Sequence, residues 1–188
     1  MRIIDLSTPV DPSGWSPDPR SQPRWIPRPA HVLDLRGADP RTRTAGVADI
    51  DRALARLGCR PRPLDVVLLR TGASGWTGTP RYFTDFTGLD GPATDHLLDL
   101  GVRVIGTDAF SLDAPFRDMI RRYHATGDRS VLWPAHFAGR RHAYRQIERL
   151  ARLDTLPPTG FRVACRPART ACAGAGAGGT RMVALLEE

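Results

Sequence analysis

Glu148 is one of only three glutamates in 188 residues, and the other two, Glu187 and Glu188, end the sequence. It stands in Gln146-Ile147-Glu148-Arg149-Leu150. A carboxylate there is either buried against a partner, where it can hold a proton or a cation, or paired at the surface with Arg145, Arg149 or Arg152, where such pairs contribute little. His136 lies in Leu132-Trp133-Pro134-Ala135-His136-Phe137. An imidazole flanked by Trp, Pro and Phe is either a packed ring with one hydrogen bond or a neutral base or metal ligand. The third position is Gly106-Thr107-Asp108-Ala109-Phe110-Ser111-Leu112-Asp113. Polar groups just past a strand end sit where α/β folds build sites, and equally where they cap the next turn.

Other chemistries find less support. Gly72-Ala73-Ser74-Gly75 has the wrong spacing for a nucleophile elbow of the G-x-S-x-G type. The glycine-alanine run at 171–179 lacks the lysine of a phosphate loop and reads as a hairpin connection. Cys59, Cys165 and Cys172 are an odd number without C-x-x-C spacing, which reads as reduced structural thiols.

The elements that must position these residues follow from periodicity. Residues 2–6 and 31–36 read as strands, and 16–29, rich in proline, as an extended loop. Val47, Ile50, Leu54 and Leu57 have helical spacing, with Gly58 as the helix stop. Residues 65–70 form a buried strand, 71–91 a long aromatic loop, and 92–100 a helix that Gly101 ends. A strand at 102–105 and a short helix at 115–124 follow. Residues 142–153 suit a helix or the entry to a strand. The last strands are 161–165 and 181–186. The mixture indicates an α/β or α+β fold, and the length fits one domain over residues 1–188.

All 27 basic residues are arginine, the net charge is +7 and the pI is near 10.5. The arginines are scattered, without the aromatic-interleaved stripe of a nucleic-acid binder, so no nucleic-acid partner is expected. No apolar run is long enough to cross a bilayer, and residues 1–7 carry an acid without a long apolar stretch. A cytoplasmic protein with no membrane partner is expected.

Several blocks together resemble the cyclase family, the metal-dependent hydrolases and cyclases that include bacterial kynurenine formamidase. Ile3-Ile4-Asp5-Leu6-Ser7-Thr8-Pro9-Val10 is similar to its opening strand, and residues 65–72 to its central strand. Tyr82-Phe83-Thr84-Asp85-Phe86-Thr87-Gly88-Leu89 is similar to its aromatic loop. Residues 101–108, continued by Ser111, Asp113 and Pro115, resemble its most recognisable block, and 146–154, 163–167 and 183–186 the later ones. The resemblance implies an α/β fold with a mixed β-sheet or barrel-like core and peripheral helices. It implies a zinc or manganese ion held in part by His136 and Glu148, which activates water to open an amide, ester or lactone.

The chain departs from the family in its early H-x-G-T-H-x-D-x-P metal segment. Residues 25–31 run Trp-Ile-Pro-Arg-Pro-Ala-His, and no H-x-x-x-H occurs anywhere. Two ligands leave such a site incomplete, because a stable catalytic zinc normally has three. Three explanations stand side by side: a shortened, inactive member that serves as a binding or assembly partner, a site completed by a second subunit of a homo-oligomer, or metal-free chemistry. In the last case Asp108 or His136 handles protons, and Trp76, Tyr82, Phe83 and Trp133, with several arginines, bind a small acidic aromatic or polyketide-type substrate.

Overall fold

Val66-Val67-Leu68-Leu69 is apolar on both faces, the pattern of a strand covered on both sides. A computed structural model describes residues 1–7, 27–167 and 180–187. In it this run is β4 (Val66–Arg70), an interior strand of a seven-stranded sheet. The other members are β1 (Arg2–Asp5), β2 (Arg28–Asp34), β6 (Val104–Thr107), β7 (Arg145–Ile147), β8 (Phe161–Pro167) and β9 (Thr180–Leu186). The spatial order is β1-β9-β8-β2-β4-β6-β7. Strands β2, β4, β6 and β7 are parallel, whereas β8, β9 and β1 continue the sheet in antiparallel fashion. Two short strands, β3 (Thr44–Ala45) and β5 (Gly88–Leu89), pair separately.

The two edges of the large sheet meet. Ser7 bridges Leu150, and the Ala151 N–H donates to the Leu6 carbonyl at 2.8 Å. The sheet therefore curls into a barrel-like core, satisfying edge groups that would otherwise be exposed. Alternation along the strands divides the apolar residues between two clusters. Ala30, Val32, Val66 and Leu68 point inward to Ile4, Leu6, Leu150, Phe161 and Met182. Leu33, Val67, Leu69 and Ile105 point outward, beneath α1 (Val47–Leu57), α2 (Gly91–Asp99) and α4 (Pro134–Ala138). The remaining helix, α3 (Phe116–Thr126), buries Met119 and leaves Phe116 exposed.

The expected helix at 47–57 has the observed bounds, and Gly58 ends it in the left-handed conformation at φ 71°. Strand β2 begins at Arg28, so the end of the proline-rich stretch joins the sheet, with Pro29 opposite Arg162 of β8. Residues 142–153 are not helical. Arg149 and Arg152 have φ of 63° and 60°, and left-handed residues cannot continue a right-handed helix. The loop at 71–91 folds into two 3₁₀ turns, Ala73–Trp76 and Pro80–Phe83, before β5. The glycine-alanine run, the remainder of the proline-rich stretch and Cys172 lie outside the described residues. Among the described residues no helix is long and apolar enough to cross a membrane.

Candidate functional site

Strand β6 ends at Thr107, and the chain beyond it carries Asp108, Ser111 and Asp113 past the C-terminal edge of the parallel strands. Asp113 is completely buried. Its carboxylate accepts the Ala135 N–H at 2.6 Å and pairs with His136 Nδ1, so it holds both the start of α4 and the imidazole on it. The hydrogen bond to Asp113 raises the His136 pKa above the ordinary histidine value; burial opposes the shift, and the nearby Glu148 charge adds to it.

Glu148 follows β7 and faces the same imidazole, its Oε1 3.9 Å from His136 Nε2. That oxygen accepts hydrogen bonds from Ser111 Oγ at 3.1 Å and the Leu112 N–H at 2.8 Å. The carboxylate is thus held in place from the β6 side. Tyr144 buttresses the far side of α4: its hydroxyl donates to the Ala135 carbonyl and accepts from Gln146 Nε2. Gln146 Oε1 is buried with no partner among the described residues.

Two residues beside the site have a left-handed backbone. Of the five non-glycine residues with positive φ among the described residues, Trp133 (φ 49°) caps α4 and Arg149 (φ 63°) follows Glu148. Strained residues of this kind cluster at functional sites, where the surrounding structure holds them.

The residues expected to form the site are partly brought together. His136 and Glu148 face each other. Asp108 is buried, and its carboxylate is taken up by donors: the Thr71 N–H and hydroxyl, the Gly72 N–H and Ser74 Oγ. Tyr82 is also buried, its hydroxyl on the Asp108 carbonyl at 3.2 Å and its pKa pushed up to about 12 by burial. Phe83 packs edge-on against Phe110 at 4.8 Å, and Arg149 lies 4.1 Å over the Phe110 ring. Trp76 instead stacks under Arg81. Trp133 belongs to a second group, 5.7 Å from Phe116. The four aromatics thus make three separate local contacts, with Phe110, with Arg81 and with Phe116. A cavity of about 820 Å³, lined by Arg36, Arg70, Arg152, Ser74 and Asp108 among others, opens at the barrel mouth, and His136 and Glu148 are not part of its wall.

Ser111 and Asp113 lie in the segment that the sequence singled out after the β6 strand, but only Asp108 of it was given a role, and Tyr144 was not singled out at all. The available signal was the run Ser111-Leu112-Asp113, in which two polar residues flank an apolar one just beyond a strand.

A metal ion fits this site poorly. His136 Nε2 and Glu148 Oε1 are two donors, and among the described residues no group of three His, Cys, Asp or Glu side chains could hold an ion. A stable catalytic zinc needs a third protein ligand.

The sequence over residues 4–114 matches the model of the Cyclase family, which is more than half the chain. The chain belongs to the cyclase family. No curated protein matches the sequence. Solved structures share this cyclase fold at low identity. Isatin hydrolase A from Ralstonia solanacearum superposes with a TM-score of 0.73 at 19% identity, covering 99% of this chain and 92% of that one. A potential metal-dependent hydrolase with cyclase activity superposes at 0.63 and 16% identity, covering 100% and 98%. An isatin hydrolase bound to the product analogue thioisatinate superposes at 0.64 and 20% identity. The match covers 86% of this chain but only 61% of that hydrolase.

Proposed function

We propose that this cyclase-family chain is a hydrolase or cyclase acting at the carbonyl of a small amide, ester, lactone or polyketide-type substrate, with His136 as its proton-handling group. The observation that carries this reading is the buried Asp113 holding His136 Nδ1 while Nε2 faces Glu148. A carboxylate on Nδ1 fixes the tautomer, so the neutral ring carries its proton there and Nε2 is the basic atom. Nε2 takes a proton from water as the water oxygen bonds to the carbonyl carbon. The ring then gives that proton to the departing nitrogen or oxygen, leaving an acid and an amine or alcohol. Asp113 and the fixed Glu148 carboxylate stabilise the imidazolium formed between the two steps. With its carboxylate saturated by donors, Asp108 supports the loop instead of exchanging protons in this scheme.

The test is a panel of formamides, cyclic amides and lactones, with the native protein compared with His136→Ala. Turnover of at least one substrate, lowered about 10²- to 10⁴-fold in the variant, supports the reading. No turnover of any substrate, with and without added zinc and manganese, overturns it. The metal arm also tests the zinc or manganese dependence implied by the family. A metal-stimulated rate lost in Glu148→Gln would mean that a further donor completes the pair.

A second reading rests on the exposed aromatics beside His136. Phe116, Trp133 and Phe137 are 60%, 37% and 40% exposed. An apolar patch of this kind suits contact with another protein, including a second copy of the chain. A concentration-dependent shift in size-exclusion elution, removed by Phe116→Ser, would support that role.

A further inference from the structure

At the opposite end of the parallel strands, just before β4 begins, a second constellation stands apart from the site above. His31 and Asp65 are both buried, with His31 Nε2 3.0 Å from Asp65 Oδ2. The same carboxylate oxygen accepts the Arg62 N–H at 2.8 Å. On the other side of the ring, Nδ1 lies 3.8 Å from Cys59 Sγ and 3.1 Å from Thr159 Oγ1. Asp65 can only accept, so the neutral ring keeps its proton on Nε2 and presents Nδ1 as a base to these two donors. Cys59 is exposed just past the end of α1. A nucleophile, a base within reach and a third group orienting the base form the general pattern of an activated nucleophile.

We infer that Cys59 is a nucleophilic thiol assisted by His31 and positioned by Asp65, and that it takes small disulfides in thiol–disulfide exchange. The Sγ proton moves to His31 Nδ1, and the sulfur attacks one sulfur of R–S–S–R. A Cys59–S–S–R bond forms, the R–S–S–R bond breaks, and the departing thiolate takes the proton from His31 to leave as R–SH. The disulfide is the oxidant and a free thiol reverses the step. Cys165 provides the contrast: it is buried in the barrel, and desolvation pushes its thiol up to about 12.

The test uses the full chain and hydroxyethyl disulfide, an uncharged probe that the many arginines cannot steer. Arginines between the cysteines place all three in separate tryptic peptides, so mass spectrometry reads each one. A free thiol is only slightly ionised at pH 7, so Cys59 should react about tenfold faster than in a synthetic peptide of residues 57–62. His31→Asn should bring Cys59 down to the peptide's rate, while an unmodified Cys165 reports an intact barrel. Thr159→Val, which frees Nδ1 from its other donor, should leave the rate at or above the native one. Native Cys59 no faster than the peptide overturns the inference, as does an unchanged rate in His31→Asn with Cys165 still protected. A fall in Thr159→Val overturns it as well.

Discussion

Asp113 is the residue on which the candidate site turns, because it joins a helix start to an imidazole. Replacing it by asparagine keeps the shape but puts an amide against His136 Nδ1, where the carbonyl or the NH₂ group can face the ring. The imidazole then loses its fixed tautomer and the charge that favours its protonated form. Asp113→Asn should lower the rate about 10²-fold or more, against the 10²–10⁴ range of a positioned acid–base group. Tyr144→Phe is the informative contrast. It removes the hydroxyl on the Ala135 carbonyl and leaves Asp113 and His136 in place, so the rate should fall by about tenfold or less, with a loss of stability near 1 kcal/mol. Equal losses in both variants, measured as kcat/KM and by urea denaturation, would mean that the α4 scaffold and not the Asp113 charge supports activity. At this scale the sequence showed His136 and Glu148 as candidates but left their roles open, and family resemblance decided between the alternatives. Asp113 stood in a candidate segment, but its role stayed hidden because its partner lies 23 positions away and only folding brings them together.

The strands and helices were more legible than the segments linking them. Helix α1 and strand β4 were readable because their apolar periods are long and uninterrupted. The five-residue α4, the three-residue β7 and the two-residue β3 and β5 carry too few residues to show a period, and tertiary contacts make them. These short elements position the site. A Cβ on Gly88 of β5 would lie 2.2 Å from the Asp113 carbonyl carbon and 2.3 Å from the Ala114 nitrogen, both rigid backbone. Gly88→Ala must therefore push the Asp113 segment away. It should cost about 1–3 kcal/mol, the range for overpacking, and reduce activity along with stability. A variant with native stability and native rate would show that the β5 approach is looser than described.

Charge clamps hold the same outer elements together. Asp85, in the aromatic loop, bonds Arg43 beside β3 and Arg81 in the second 3₁₀ turn, and Arg43 also lies 3.6 Å from Asp118 of α3. These bonds, first that to Arg43, hold the Asp85 carboxyl below its ordinary value. A carboxyl depressed by folding contributes stability above its unfolded value of about 3.9, and that contribution is lost as pH falls through the lower folded value. The native protein should therefore lose stability below about pH 4 more steeply than Asp85→Asn does. Denaturant midpoints between pH 3 and 7 would show it, and parallel curves would mean that the clamp contributes nothing.

For the whole molecule the decisive feature is closure of the sheet, and closure was the part of the fold that strand patterns could not supply. Periodicity identifies strands one at a time, whereas the meeting of β1 with the segment after β7 joins residues more than 140 positions apart. The family resemblance implied a barrel-like core, and the Ser7–Leu150 bridge gives it physical form. Leu6 and Leu150 are buried in the inner cluster on the two sides of this seam, and the Leu6 carbonyl takes the Ala151 N–H. Each leucine replaced by alanine should cost about 2–5 kcal/mol, as for other fully buried leucines. If the seam closes as one unit, the first substitution loosens it and the second finds less to lose. The double variant should then fall short of the summed losses by about 0.5–3 kcal/mol, the coupling seen between residues in one packed group. Additive losses by urea denaturation would mean that the two edges pack independently and that the sheet is better described as open. A coupled seam also lies between the candidate site and the cavity. The chain runs without a break from Glu148, through Leu150 at the seam, to Arg152 in the cavity wall, so loosening Leu150 should disturb the candidate site as well as the core.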